Sequence, residues 1–397
     1  MNVLVVCGSG ASFDSKYTLS LDGGNNQELF FPPMDKNFFN AEIITKLLAR
    51  DDFYALKFFR NVLFPLKEDL SLEECWTAVS INLKQCRLGT YEWIKEYKEY
   101  RQINHGSSYP YSELEATDVT FGNSGNIGHM ADLVYSTRKV LGDCERDLKR
   151  LIYDCFSTIY LQNDICSNYE SMHDIIQQNT GVNFLGYITF NYDLLLEQSL
   201  EKLGKQYHYL GVNVDIFDGY YKNYRPSILI LKLHGSLNWE LSSSGDDIIF
   251  RKKPVKPTYP EDSISANNYI EPGIVPPTIL KEEINSEYNE NNPLKRLLIN
   301  QWKYAIQLLS KADKVIIVGY SFPETDYHVH RIFQIANMIR RSNSTENQKI
   351  LYCIGNYTNK ELKRLSNITQ VKTEDIKIYK GFSKLINSRI LKKYLKE

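Results

Sequence analysis

Paired cysteines, long apolar runs, internal repeats and an excess of charge are all missing from this chain of 397 residues. The seven cysteines (Cys7, Cys75, Cys86, Cys144, Cys155, Cys166 and Cys353) include no CxxC pair, which argues against a structural zinc site. No run approaches the ~18 apolar residues of a membrane span. The N-terminus lacks a charged segment followed by an apolar one, so no signal peptide is expected, and the odd thiol count fits a reducing cytoplasm. The net charge is −1, so no global basic field favours nucleic acid or an acidic membrane. Short basic runs such as Arg251-Lys252-Lys253 read as solvated surface.

What is present is a globular composition, 43% hydrophobic and 24% charged, long enough to bury a large core. Asn2 to Cys7 is an apolar run ending in glycine, the pattern of a strand buried on both faces. Phe184–Thr189, Ile228–Leu233, Lys314–Val318 and Lys349–Ile354 repeat that pattern. Helical spacing follows at Asp193–Leu203 and after Asn292-Pro293, where Asn292 is the expected N-cap. Asp326 reads as the cap of another helix, and Thr358 with Glu361 has capping-box spacing. Strands alternating with helices predict an α/β fold, a Rossmann-like doubly wound parallel sheet. About 175 residues separate the first two strands, and Ala131–Leu161 within them has clear helical periodicity. Residues 46–180 are therefore expected to form a helical insertion between a first piece of the sheet domain (1–45) and its remainder (181–397). A second insertion, about 241–291, is rich in Pro, Ser, Asp and Asn and reads as a long loop.

Three short pieces carry candidate chemistry. Gly8-Ser9-Gly10-Ala11-Ser12 follows the first strand, where glycines let backbone amides approach phosphate oxygens. A plain strand-to-helix turn is the alternative, and the absence of G-x-G-x-x-G disfavours an ordinary dehydrogenase. Asn191, in Thr189-Phe190-Asn191-Tyr192-Asp193, presents an amide at a strand end, able to hold a water or a ribose hydroxyl. Asp193 either contacts the ligand or caps the next helix. His234, in Leu233-His234-Gly235-Ser236, stands at another strand end and suits a general base. His328 and His330 are two apart on an expected helix and make a poor metal pair, so no metal is expected.

In this order, and with Val318-Gly319-Tyr320-Ser321-Phe322, these pieces resemble the motifs of the sirtuin (silent information regulator) family. The match is closest to a bacterial sirtuin-like branch of NAD-degrading effectors in anti-phage defence, to which Pro272–Thr278 and Gly319–Asp326 are also similar. The resemblance implies Gly8 to Ser12 on the pyrophosphate, Asn191 beside the nicotinamide ribose and His234 as base. It further implies Gly319 and Ser321 along the ribose and phosphate, and Asn356 toward the adenosine. Two departures stand out: no cysteine lies between Ser236 and Asn291, where deacylases carry a zinc module, and Phe190 replaces a glutamine. The expectation is an NAD glycohydrolase with NAD as substrate, active in abortive infection and restrained through a homo-oligomer or a helicase-like ATPase partner. A binding module without turnover, and a deacylase or ADP-ribosyl transferase, are the alternatives.

Overall fold

The computed structural model describes residues 1–13, 17–19, 28–50, 53–63, 70–85, 97, 127–160, 167–209, 227–241, 248–258, 270–275, 292–323, 326–343, 347–355 and 358–397. Twelve strands are described: β1 (Asn2–Cys7), β2 (Tyr17–Leu19), β3 (Glu28–Phe30), β4 (Asn183–Thr189), β5 (Tyr207–Tyr209), β6 (Ile228–Lys232), β7 (Gly235–Leu241), β8 (Ile248–Phe250), β9 (Glu271–Ile274), β10 (Lys314–Val318), β11 (Lys349–Ile354) and β12 (Ile376–Lys380). Seven of them form one sheet in the order β12-β11-β10-β1-β4-β6-β5, and every pairing within it is parallel. This is the expected doubly wound α/β sheet.

Parallel neighbours need crossovers, so both faces become covered and the central strands read as unbroken apolar runs. Val3 to Cys7 and Val315 to Val318 are fully buried on both faces. One face packs Leu4, Val6, Ile188, Leu231 and Ile317 against Leu308, Val329, Phe333 and Leu365 of the helices Pro293–Lys311, Tyr327–Ser342 and Asn359–Thr369. Each such side chain contributes about 1.5–3 kcal/mol by leaving water. On the other face, His173 of the helix Ser167–Gln177 bonds the Tyr187 hydroxyl of β4 at 2.8 Å. Asn292 caps its helix by accepting from the Lys295 amide at 3.1 Å, and the Thr358–Glu361 capping box is formed.

Contacts divide the chain into two compact units, Met1–Asp35 with Cys155–Glu397, and Lys36–Asp154. Described helices of the second unit include Glu42–Leu48, Tyr54–Leu63 and Leu72–Gln85, together with the part of Ile127–Tyr160 up to Asp154. The stretch read as a loop from about 241 also carries β8 and β9, which pair antiparallel with β7 in a small second sheet. Buried Leu237, Trp239 and Phe250 stabilise it, the last two packing edge to face. Among the described residues no helix is long and apolar enough to cross a membrane.

Candidate active site

Ligands of open parallel sheets bind beyond the carboxyl ends of the strands, where the strand order reverses. Here the order reverses between β1 and β10: the chain leaves β1 toward β4 and returns to β10 on the opposite side. Two of the four sequence motifs begin there, after β1 and β10, and the other two begin at the carboxyl ends of the next strands, β4 and β6. The ladder runs one residue past the strands, with Gly8 N donating to Val318 O (3.0 Å), Phe190 N to Cys7 O (3.1 Å), Leu233 N to Thr189 O (3.0 Å) and Gly319 N to Cys353 O (2.9 Å). The turns thus leave the sheet at a common level and form one rim.

Gly8 and Gly10 pack directly on Gly319. A β-carbon on Gly319, whose φ is +64°, would lie 2.0 Å from Ala11 N, and one on Gly8 would lie 2.7 Å from Gly319 O. Only glycines let the two turns interlock, and Gly10 N closes the junction by donating to Gly319 O at 2.9 Å. Ala11 N donates to Gly8 O at 2.9 Å. Three of the turn's amides are therefore engaged within the protein, while Ser9 and Gly10 remain partly exposed at the start of a five-residue helix. Ser321 is exposed on the facing turn. The next residue, Phe322, holds a left-handed φ of +52°, which its burial against Tyr320 and Phe333 stabilises.

Ser12 is buried and joins two other expected site residues. Its hydroxyl donates to Asp193 Oδ2 at 2.9 Å and accepts from Asn191 Nδ2 at 3.0 Å. Asn191 Nδ2 also donates to Gly8 O at 3.0 Å. Both amide protons of Asn191 are thereby committed, which fixes the side chain and leaves Oδ1 as its acceptor for an incoming hydroxyl or water. Asp193 uses Oδ1 on Leu195 N at 3.1 Å, so both its oxygens are engaged within the fold. Burial raises its pKa, with the nearby Lys232 ammonium acting in the opposite direction. Asp193 is thus an anchor between the glycine turn and the helix Leu195–Lys202, whose N-cap position is held by Leu194 and not by Asp193 as the capping alternative had it.

His234 is 6% exposed, between β6 and β7. Phe190 (5.3 Å between ring centroids), Tyr192 (6.3 Å) and Trp302 (6.4 Å) pack around its ring. Trp302 Nε1 donates to Leu233 O at 3.0 Å, and Val275 N donates to His234 O at 2.8 Å. Gly235 turns the chain at once into β7, with φ +81° and Gly273 O only 2.0 Å from where a β-carbon would stand. His234 Nε2 lies 3.8 Å from Asp326 Oδ2.

Asp326 corrects a sequence reading. Its side chain makes no capping bond to the helix Tyr327–Ser342, which is closed at that end by backbone bonds from Val329 N and His330 N to Asp326 O. The carboxylate instead accepts from the Tyr320 hydroxyl and faces His234. Asn356, expected near the adenosine, lies outside the described residues, as do Glu324, Thr325 and residues 276–278 of the familiar segments.

Sequence reasoning also missed a buried polar cluster behind the rim. Lys232 Nζ donates to Glu197 Oε1 (2.9 Å) and to Asp193 O (2.5 Å), and Tyr209 donates to the same Glu197 oxygen at 2.9 Å. Ser236 donates to Asn238 at 2.7 Å, and Asn238 Nδ2 donates to Tyr209 at 3.2 Å. The signal was a lysine closing an otherwise apolar strand, because a charge there must find a buried partner. Among the described residues no three His, Cys, Asp or Glu side chains converge as a metal site.

Residues 186–377 match the family model described as a SIR2-like domain. Over this stretch the chain is similar to that domain. The matched stretch holds Asn191, His234, Gly319 and Ser321, while β1 and the glycine turn lie before it. Solved structures similar to the chain include a Sir2 homologue–NAD complex, at 13% identity over 65% of this chain and 75% of that one, with a TM-score of 0.37. A Sir2 homologue mutant with ADP-ribose is similar at 12% identity over 65% and 77%, with a TM-score of 0.38. Sir2 bound to an acetylated peptide is similar at 13% over 57% and 71%, with a TM-score of 0.31. No curated protein matches the chain.

Proposed function

We propose that the rim binds NAD and hydrolyses its nicotinamide–ribose bond. The observation that carries this reading is the state of Asn191: a buried amide, both of its protons committed, with Oδ1 left to accept. It stands one strand away from the buried imidazole of His234, because β4 and β6 are neighbours. In the reaction, a water oxygen bonds to ribose C1′ while the C1′–nitrogen bond breaks. The bonding pair leaves with the nicotinamide and neutralises its ring. Asn191 Oδ1 accepts a hydrogen bond from the water or a ribose hydroxyl, and His234 takes the proton that the water loses. Charge at C1′ builds as an oxocarbenium ion, as in other glycoside cleavages, so positioning matters more than nucleophile strength. The interlocked glycine turns set the level at which the pyrophosphate is held, with Ser9 and Ser321 at its edges.

The SIR2-like domain supports NAD as the ligand, and the cysteine-free stretch after His234 favours hydrolysis over acyl transfer. The wider role we propose is NAD depletion in anti-phage defence, held in check by self-assembly or a helicase-like ATPase partner. The test is nicotinamide and ADP-ribose release by the purified chain, alone and with such a partner, beside Asn191→Ala and His234→Ala. The expected loss is at least ~100-fold in each variant. Native-level release by either variant would refute the assignment, and NAD binding without release under both conditions would leave a binding module.

A further inference from the structure

We infer that Asp326 is a positioning residue for His234, and that the turn after β10 exists in part to deliver it. The inference rests on His234 being the base proposed above. A helix-capping aspartate ordinarily spends its carboxylate on the first amides of its helix. Asp326 forgoes this, although it occupies the cap position. Its Oδ2 instead accepts from Tyr320 and sits 3.8 Å from His234 Nε2, within ion-pair range and longer than a hydrogen bond. Such a contact tightens when the imidazole gains charge.

The surroundings strengthen the pairing. Asp326 is 5% exposed and His234 6%, so little water screens them. Phe190 from the β4 turn, Trp302 from the helix Pro293–Lys311 and Tyr320 from the β10 turn face the pair. Phe190 stacks on Tyr320 at 4.2 Å and touches the imidazole. The phenol of Tyr192 is turned away onto Val275 O at 2.7 Å, and the Trp302 indole onto Leu233 O. A carboxylate there does two things. It favours the tautomer with the proton on Nε2, leaving Nδ1 as the basic nitrogen, and it stabilises the imidazolium formed when the ring takes a proton. Tyr320 orients the carboxylate, and Arg364 secures the same turn by donating to Phe322 O.

The experiment compares Asp326→Asn, Asp326→Glu and Tyr320→Phe in the full chain, reading NAD cleavage and the ¹⁵N NMR signals of the His234 ring, identified by their loss in His234→Ala. Asp326→Asn is expected to lower kcat about 10²-fold with KM within about twofold, and Asp326→Glu to restore most of it. The native ring is expected to carry its proton on Nε2, and Asp326→Asn to lose that preference. Tyr320→Phe is expected to fall between the native chain and Asp326→Asn. An unchanged ring in Asp326→Asn, or equal losses in the asparagine and glutamate variants, would overturn the inference. A native chain that leaves NAD intact would refute the hydrolase reading while the ring signals still decide the pair.

Discussion

The two units bury polar side chains for different purposes. In the helical unit, the buried Ser71 and Asp147 serve helix ends. Ser71 and Glu74 form a reciprocal cap for the helix Leu72–Gln85, and Asp147 accepts from the Leu56 amide at 3.0 Å. In the sheet unit, Ser12, Asn191, Asp193, Lys232, His234, Asn238 and Asp326 are buried together and face one another across separate strands. Packing a fold does not require that convergence, since an apolar core is cheaper than a polar network that must be satisfied at every atom. Its concentration around the carboxyl ends of β1, β4 and β6 is what the proposed site rests on.

The strongest way to break the comparison is to unpair the cluster. Lys232→Met removes a fully buried cation and leaves Glu197 facing Tyr209 alone, with Glu197 Oε2 already lacking a partner among the described residues. Breaking a buried pair from one side costs about 3–5 kcal/mol. Urea unfolding of the sheet unit, followed by hydrogen exchange of its peptides, should show that loss, whereas the double variant Lys232→Met/Glu197→Leu should recover part of it. If Lys232→Met were as stable as the native chain, the cluster would not hold the rim together.

A smaller effect separates the units by pH. Burial lowers the pKa of His173 to about 4, with Lys205 adding to the shift. Its folded value lies below its unfolded one, so the unfolded chain binds more protons between them. Stability from His173 is complete above about pH 6.5 and is lost as pH falls toward 4. Asp147 behaves oppositely: burial raises it to about 7, against the pull of the Leu56 amide and Arg150. Its contribution is complete below about pH 4 and is lost as pH rises through 7. Between pH 7 and 4 the sheet unit should weaken while the helical unit gains, as peptide-resolved unfolding would report. Asp147→Asn should flatten the helical unit's response, and a slope that persists in that variant would assign it to another group.

Much of this was legible in the sequence, for identifiable reasons. Strands buried on both faces announce themselves as apolar runs, so the central sheet could be placed from Asn2–Cys7, Lys314–Val318 and Lys349–Ile354 alone. Asn191 and His234 could be singled out because polar residues directly after such runs have few structural reasons to be there. Asp326 was misread because spacing locates a cap but not the direction of its side chain, which depends on Tyr320 and His234 arriving from elsewhere in the chain. The strands β8 and β9 were missed because short edge strands among prolines and asparagines have too few residues to show a period.

The smallest effect expected comes from the glycines, and it sharpens the contrast most cleanly. Gly319 has backbone atoms within 2.0–2.6 Å of any added β-carbon, whereas Gly142, inside the helix Ile127–Tyr160, has nothing within 4 Å. In a helix interior with open space, alanine loses less backbone entropy than glycine, which favours the folded state by about 1 kcal/mol. Gly142→Ala should therefore raise the urea midpoint of the helical unit slightly and leave NAD cleavage at the native rate. Gly142 would then be a residue that the fold tolerates, and Gly319 one that the site demands. A Gly142→Ala chain that lost cleavage while keeping its stability would instead give the helical unit a direct part in the reaction.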